Sequence, residues 1–181
     1  TPLQSILGNP VSGEGFSSKK FNLIVNNTGS YYLLNAIIHL MGSTTQVSIV
    51  PSTNVSSIPL LCNILMGWGL EFAVLLFEND KENQVAKLLK DTIFRTDNSG
   101  RDLVIKMPET FYNAEDLLST LDFKNHILKT REGITVANSE YVREKKIARG
   151  FLFSRFLAEV TWVILSCPIS MKSHRRISGF L

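Results

Sequence analysis

Short apolar runs alternate with longer stretches of helical periodicity along the central part of the chain. Four runs have the length and composition of β-strands: residues 21–25, 46–50, 71–77 and 103–106. Helical patterns or helix-start signals mark the segments between and after them: residues 31–41, 57–68, 82–94, 113–118, 123–129 and 139–165. Strands that alternate with crossovers of this length pair in parallel. The pattern therefore predicts an α/β fold in which about four parallel strands carry helices on both faces.

The third strand ends in a pair of carboxylates. Its apolar residues, 72–77, are typical of a strand that is buried on both faces, and ligands of open α/β sheets bind beyond the carboxyl ends of such strands. Glu78 and Asp80 leave that end at positions i and i+2, on one side, where they suit a hard divalent cation such as Mg²⁺. Acidic residues also favour the exposed first turn of a helix. The spacing by itself leaves both interpretations open.

The composition is that of a soluble globular protein. A hydrophobic fraction of 44% with 19% charged residues is ordinary, and 181 residues fit one domain with an appendage. Cys62 and Cys167 lie in apolar surroundings without metal-like spacing, which is typical of buried thiols in a reducing compartment. No apolar segment reaches the length of a membrane span, and there is no secretory signal. We therefore expect a cytoplasmic protein with no membrane partner.

Turn-forming residues and charge divide the chain into three parts. Residues 1–18 are rich in Gly, Ser and Pro and are interpreted as a linker that enters the domain. Because the chain begins at Thr1 and not at methionine, we expect a fragment or a processed product. Residues 19–130 form the predicted domain, and residues 131–181 a C-terminal helical extension, with truncation of its end as one interpretation. Residues 143–181 hold eight Lys and Arg against two Glu, a net charge of +6 that leaves −3 for the first 142 residues. Such a basic part can bind a nucleic-acid backbone, although a solvated helix face is the commoner case.

Four stretches of sequence resemble one known family. They are LIVNNTGSYYLL (23–34), VPSTNVSSIPLLCNILMGWGLEF (50–72), LLFENDKEN (75–83), and AEDLLS with DFKNHIL (114–119 and 122–128). In content and order they resemble the Toprim domain of the overcoming-lysogenization-defect (OLD) family of nucleases, which includes the Gabija-type phage-defence nucleases. The resemblance spans residues 21–128 and implies a Toprim, Rossmann-like parallel sheet.

The resemblance also implies a metal-dependent DNA endonuclease that follows an ABC-type ATPase domain. In that family an acidic cluster holds one or two Mg²⁺ (or Mn²⁺) ions, which activate water and stabilise the leaving oxygen during phosphodiester hydrolysis. The implied partners are DNA and an upstream or separate ATPase, and the full-length protein is expected to be a homo-oligomer. This chain contains no Gly-x-x-x-x-Gly-Lys-Ser/Thr loop, so we expect no ATP site in it.

The family's functional positions are only partly kept in this sequence. The metal-ligand positions are Glu78, Asp80, Glu115 and Asp116, whereas two further acidic positions are the neutral Asn26 and Ser30. Lys146 lies in the context most similar to the family's phosphate-supporting lysine, with Lys145 as a near alternative and a surface lysine as the other interpretation. Loss of two carboxylates weakens Mg²⁺ binding, because charge is the main attraction. The sequence thus predicts an impaired nuclease domain; the alternative is a catalytically inactive module for DNA binding or assembly.

Three aromatic residues are candidates for stacking on nucleobases: Tyr31, Tyr32 and Trp68. Aromatic side chains on helices beside a sheet are more often part of the core, and that is the interpretation we prefer. Their exposure in the folded chain distinguishes the two interpretations.

Overall fold

The fold consists of a small parallel sheet with helices packed on it. The computed structural model describes residues 21–42, 46–94 and 103–166. In these ranges the strands are β1 (Phe21–Val25), β2 (Val47–Pro51), β3 (Phe72–Leu76) and β4 (Val104–Lys106). The α-helices are α1 (Thr28–Leu40), α2 (Ile58–Gly67), α3 (Asp80–Leu88), α4 (Thr120–Asp122), α5 (Asn138–Glu144) and α6 (Arg149–Ser166). There are 3₁₀ turns at Val55–Ser57 and Ala114–Leu117, and π-helical turns at Leu89–Ile93 and Phe123–Leu128 extend α3 and α4.

The four strands are all parallel and lie in the order β2-β1-β3-β4. Phe21 of β1 pairs with Val47 of β2 on one side, and Asn22 pairs with Phe72 of β3 on the other. The chain therefore moves outward from β1 to β2 and then returns to the opposite side of β1. This reversal makes the β1/β3 boundary the topological switch point, and open α/β sheets bind their ligands at such a point, beyond the carboxyl ends of the strands. The predicted α/β class with a four-stranded parallel sheet is confirmed.

The sheet separates two hydrophobic cores. On one face, Ile24 and Val74 pack with residues of α2 and α3. On the other face, Val25 and Leu75 pack with residues of α1, α6 and the Phe123–Leu128 turn. Alternate side chains of a strand point to opposite faces, so a strand covered on both sides is apolar throughout. All five residues of β3 are buried, as the apolar run predicted.

Asparagine residues cap the helices that follow β1 and β3. Asn27 Oδ1 accepts a hydrogen bond from the Ser30 N–H at 2.9 Å, and Asn79 Oδ1 accepts from the Glu82 N–H at 3.1 Å. Each cap satisfies a backbone donor that has no partner inside its helix. Because of these caps, α1 begins at Thr28 and α3 at Asp80, earlier than the predicted starts at residues 31 and 82.

The continuous helix predicted for residues 139–165 is wrong. The chain forms α5 and α6, which are separated at Lys146, a residue with a left-handed φ of 50°. The Lys146 N–H donates to Arg143 O at 3.1 Å and the Ile147 N–H to Val142 O at 3.0 Å, the pattern of a Schellman motif. Glycine is the usual left-handed residue of this motif, so a lysine there gave no sequence signal for the break.

Helix α6 lies against α1, with the first turns of the two helices in close contact. A Cβ added to Gly29 would lie 2.9 Å from the Cβ of Arg149. Further along α6, Leu152 and Phe153 are buried in the core shared with α1. The helices of the predicted C-terminal extension therefore complete one face of the sheet.

Some predictions concern residues outside the described ranges: the linker at 1–18, Cys167 and the basic residues after position 166. Cys62 is buried, as predicted, and burial raises the pKa of its thiol to about 12. None of the described helices is both long enough and apolar enough to span a membrane.

Candidate functional site

The switch point lies where the carboxyl ends of β1 and β3 meet. Asn26 follows β1, and Glu78 and Asn79 follow β3. Residues 111–116 reach the same edge, since the Glu78 N–H donates to Phe111 O at 3.0 Å. The first turns of α1, α3 and α6 are also at this edge. Polar side chains from distant parts of the sequence therefore converge beyond the carboxyl ends of the strands.

Glu82 is the centre of this convergence. It is only 1% exposed, although it lies in the first turn of α3. Its Oε2 accepts from the Phe77 N–H at 2.7 Å, and its Oε1 accepts from Asn26 Nδ2 at 2.7 Å and from Asn79 Nδ2 at 2.8 Å. A buried carboxylate is destabilising unless hydrogen bonds replace its water. These three donors replace that water and join the end of β3 to the end of β1.

Both ends of the Asn26 amide are engaged. Its Nδ2 donates to Glu82, and its Oδ1 accepts from the Ser30 hydroxyl at 2.6 Å and from Asn27 Nδ2 at 2.8 Å. The hydrogen bonds of Asn27 decide which side-chain atom of Asn26 is the acceptor. Because Asn27 Oδ1 already accepts from the Ser30 N–H, the Nδ2 of Asn27 is left to donate, and it donates to the oxygen of Asn26. Asn26 and Ser30 are each 3% exposed. We call Asn26, Asn27, Ser30, Asn79 and Glu82 the polar junction.

Glu78 forms an ion pair at the surface of the same edge. Its Oε2 is 2.7 Å from Lys106 Nζ, and its Oε1 accepts from Asn83 Nδ2 at 2.7 Å. These hydrogen bonds, that of Lys106 first, hold the pKa of Glu78 below its ordinary value. Asp80 is the exposed first residue of α3, as the helix-start interpretation describes. β3 ends before Glu78 and α3 begins at Asp80, so the two carboxylates do not belong to one strand, but they lie on the same side and line one depression of the surface.

Glu115 is buried and forms an ion pair with Arg149. The Nε of Arg149 donates to Glu115 Oε1 at 2.7 Å; the Glu115 side chain is 1% exposed and that of Arg149 is 33% exposed. Burial raises the pKa of Glu115, and the positive charge of Arg149 opposes part of that rise. The cation beside this carboxylate is therefore a guanidinium group of the protein itself.

Asp116 serves as a cap for local backbone. Its Oδ2 accepts from the N–H groups of Tyr112 and Asn113 at 3.1 and 3.2 Å, and its Oδ1 accepts from the Ser139 N–H at 2.8 Å. Asn113 and Asp116 form a capping box at the Ala114–Leu117 turn. The same carboxylate joins that turn to the start of α5.

Two depressions lie on either side of a rim formed by Asn79 and Tyr112. One has a volume of about 410 Å³ and is also lined by Asn113, Ser139, Glu140, Arg143 and Arg149. The other has a volume of about 490 Å³ and is also lined by Glu78, Asp80, Asn83 and Glu109. We call them the arginine cleft and the acidic depression. The rim thus separates a surface with two guanidinium groups and one carboxylate from a surface with three carboxylates.

The four predicted metal ligands do not come together. Glu78 and Asp80 line the acidic depression, whereas Glu115 pairs with Arg149 and Asp116 caps backbone groups. In the part of the chain that the structure describes, no three carboxylate, histidine or cysteine side chains are grouped so that they could hold a metal ion. These donors do not fit the two-metal centre that the resemblance implies. Binding of a single ion at Glu78 and Asp80 stays a prediction.

Comparisons with known proteins do not extend this picture. The chain matches no protein-family model, no curated protein and no solved structure. Assignment of a function therefore rests on the residues of this edge and on the resemblance of the four sequence stretches.

Sequence reasoning did not single out Glu82, Tyr112 or the arginines of the cleft. A signal for Glu82 was present, because Asn79 and Glu82 have the spacing of a capping box. Arg143 and Arg149 were counted in the basic part, but sequence does not show that they line one cleft. Tyr112, which is 53% exposed, has no pattern that distinguishes it from a core aromatic residue.

The remaining candidates lie away from the depressions or in the core. Lys146 is exposed between α5 and α6 and lines neither depression, and its role towards phosphate stays a prediction. Tyr31 and Tyr32 pack against the core between the sheet and α1, as the core interpretation predicts. Trp68 is 55% exposed, so the core interpretation is wrong for it. It follows α2 and precedes β3, at the edge of the sheet opposite to the carboxyl ends of the strands.

Proposed function

We propose that this chain is a non-catalytic DNA-binding module with a Toprim-like fold. This is the alternative function that the sequence left open beside an impaired nuclease. The observation that carries it is the hydrogen bond from Asn26 Nδ2 to Glu82 Oε1 at 2.7 Å. It supports a site that is held together by the protein's own donors and does not need a catalytic ion.

The polar junction replaces charge with neutral hydrogen bonds. In a magnesium site, facing carboxylates are held together by the ion between them. Here the amide of Asn26 donates directly to Glu82, and Ser30 and Asn27 donate to the amide oxygen. An amide also cannot accept a proton from water as a general base does. The junction therefore supports the fold at the switch point without supplying the chemistry of hydrolysis.

Positive charge in and beside the arginine cleft supports DNA as the ligand. Residues 143–155 contain five Lys and Arg against one Glu. Arg143, whose side chain is 73% exposed, contacts Glu140 at 3.2 Å, a surface pair worth about 0–1 kcal/mol that a phosphate can replace. Arg149 lines the same cleft. Lys and Arg contacts with phosphates supply most of the sequence-independent affinity for DNA.

The test compares hydrolysis with binding. We expect the purified protein to leave supercoiled plasmid intact in Mg²⁺ or Mn²⁺, and to bind a labelled oligonucleotide in EDTA with an affinity that falls as salt rises. Arg143→Ala is expected to weaken binding and to lower the salt slope by about 1. Lys87→Ala, in the last turn of α3 at the opposite edge of the sheet, is the control and is expected to bind normally. Absence of binding, or equal effects of the two variants, contradicts the proposal.

A metal-dependent nuclease is the second candidate, and the acidic depression favours it. Glu78, Asp80 and Glu109 line that depression beyond the carboxyl end of β3, the edge at which ligands bind in open α/β sheets. Metal-dependent nicking that is lost in Asp80→Ala would establish this candidate in place of the first. Nicking that persists in Asp80→Ala would exclude the acidic depression as its source.

A further inference from the structure

We infer that the arginine cleft binds DNA as a single strand, with an unpaired base stacked on Tyr112 and a neighbouring phosphate on Arg143 and Arg149. The inference rests on the proposed function, because it specifies the form of DNA that this edge recognises. Three features carry it: the way in which Tyr112 is held, the charges on either side of it, and the size of the cleft.

Tyr112 is an exposed aromatic residue on a fixed backbone. The residue is 53% exposed, while its N–H donates to Asp116 Oδ2 at 3.1 Å and its carbonyl accepts from Asn79 Nδ2 at 3.3 Å. Both partners are themselves fixed, since Asn79 caps α3 and Asp116 belongs to the capping box with Asn113. A planar ligand can therefore bind to the ring without first ordering the backbone that carries it, which reduces the entropic cost of binding.

The charges on the two sides of Tyr112 give a bound strand one favourable direction. On the side of the arginine cleft, Glu115 engages the Nε of Arg149, whose side chain is 33% exposed, and Arg143 is 73% exposed and held only by a surface pair with Glu140. On the other side, the three carboxylates of the acidic depression repel phosphate. A nucleotide whose base lies on Tyr112 is therefore stabilised with its phosphate towards the arginines.

The size of the cleft favours one nucleotide at a time. Its volume of about 410 Å³ lies in the lower part of the range of pockets that hold one small molecule, about 300–1,000 Å³. In a duplex the faces of a base are covered by its neighbours, so a base has to leave the stack before it can contact a tyrosine. An unpaired base contacts the ring without that cost, and every base has a face that can stack. The cleft is therefore expected to prefer single strands and to discriminate little between sequences.

Fluorescence anisotropy in EDTA tests this with two probes: a labelled single strand of mixed sequence, and the duplex that it forms with its complement. We expect the single strand to bind at least about tenfold more tightly at the same salt concentration. Tyr112→Ala is expected to weaken binding of the single strand about tenfold and to leave binding of the duplex unchanged, whereas Tyr112→Phe retains both. Trp68→Ala removes an aromatic residue of similar exposure, 55%, at the opposite edge of the sheet, and is expected to change neither affinity.

The outcomes separate this inference from the proposed function. Equal affinities for the two probes, or single-strand binding that Tyr112→Ala does not change, overturn the stacking inference. If Arg143→Ala still weakens binding in that case, the DNA-binding proposal stands without it. If neither probe binds, both are overturned. Circular dichroism of each variant checks that a loss of binding is not caused by unfolding. We expect no unfolding, because the substituted residues are exposed.

Discussion

Asn26→Asp tests the polar junction with a minimal change in side-chain shape. The substitution turns Nδ2, which donates to Glu82 Oε1 at 2.7 Å, into an oxygen atom. The other side-chain oxygen keeps the donors that it has now, from Ser30 and Asn27. Two carboxylate oxygens then face each other at contact distance, in a place where Asn26 is 3% and Glu82 1% exposed.

The folded variant can respond to the new carboxyl group in two ways, and the one that costs less free energy sets the expected loss of stability. Two ionised carboxylates at 2.7 Å repel each other by about 6 kcal/mol at an effective dielectric constant of 20. The folded variant can instead keep a proton on the introduced carboxyl group. Its ordinary pKa is about 4, and each pH unit above that value costs about 1.4 kcal/mol, so the proton costs about 4 kcal/mol at pH 7. We therefore expect the free energy of unfolding to fall by about 3–4 kcal/mol, out of the roughly 5–15 kcal/mol typical of a folded domain.

The loss also has a defined dependence on pH. Repulsion and burial raise the pKa of the introduced carboxyl in the folded state above its value in the unfolded state. The variant is then least affected below about pH 4, and it loses stability as the pH rises through the folded-state pKa. At pH 5 the expected loss is about 1.5 kcal/mol.

Urea denaturation in EDTA at pH 7 and at pH 5 measures both losses. Asn83→Asp is the matched control, because Asn83 Nδ2 also donates to a glutamate, Glu78 Oε1, at 2.7 Å. Glu78 is partly exposed and paired with Lys106, so solvent and the lysine screen the new charge and a much smaller loss is expected. Equal losses at the two positions, or a loss that does not change between the two pH values, would refute the reasoning about Asn26.

The remaining predictions concern helix contact and the two titrating glutamates. Gly29→Ala is expected to lower stability by about 1–3 kcal/mol, because the new Cβ would lie 2.9 Å from the Cβ of Arg149. Gly67→Ala has nothing within 4 Å of the new Cβ and is expected to raise stability by about 0.5–1 kcal/mol; thermal melts that shift alike for the two variants would contradict close contact of α1 and α6. Glu115 has a raised pKa, so its favourable contribution is present below its unfolded-state pKa and is lost as the pH rises through the folded-state pKa. Glu78 has a lowered pKa, so its contribution is present above its unfolded-state pKa and is lost as the pH falls through the folded-state pKa. Urea denaturation at a series of pH values measures both effects. Glu115→Gln should make the free energy of unfolding depend less on pH towards neutral pH, and Glu78→Gln should do so towards acid pH. A pH dependence that is unchanged in either variant would contradict the pKa shift assigned to that glutamate.

The strands and the fold class follow from local patterns. The run at residues 72–77 is apolar at every position, and only burial on both faces of a sheet accounts for such a run at strand length. The break between α5 and α6 has no such local cause, because lysine is a good helix former and the apolar pattern continues through Lys146. The left-handed turn at Lys146 occurs together with the packing of α6 on α1. Because that packing joins distant parts of the sequence, no local pattern predicts the turn.

The sequence indicated the edge of the sheet at which the candidate site lies, but not the hydrogen-bond and ion-pair partners of its carboxylates. Glu78 and Asp80 lie at the same edge of the sheet as the polar junction, since both follow a buried strand. Which carboxylate is buried there depends on a partner 56 residues away, because Glu82 is held by Asn26. In sequence, the spacing of Asn79 and Glu82 indicates a helix cap but does not indicate that Glu82 is buried. Similarly, Glu115 and Asp116 are adjacent in sequence and have different roles, one paired with Arg149 and the other capping backbone.

The reversal of the chain at the switch point has a kinetic consequence. Asn22 of β1 pairs with Phe72 of β3, so β2, α1 and α2 lie in the loop that this pairing closes. Closing a long loop has an entropic cost that is met before the distant contacts form. The polar junction needs both strand ends and the first turn of α3 in place, so we expect it to form after the central pair of strands. Weakening it should then raise the unfolding rate and leave the folding rate almost unchanged. The junction accordingly sets the lifetime of the folded state more than the speed at which that state is reached.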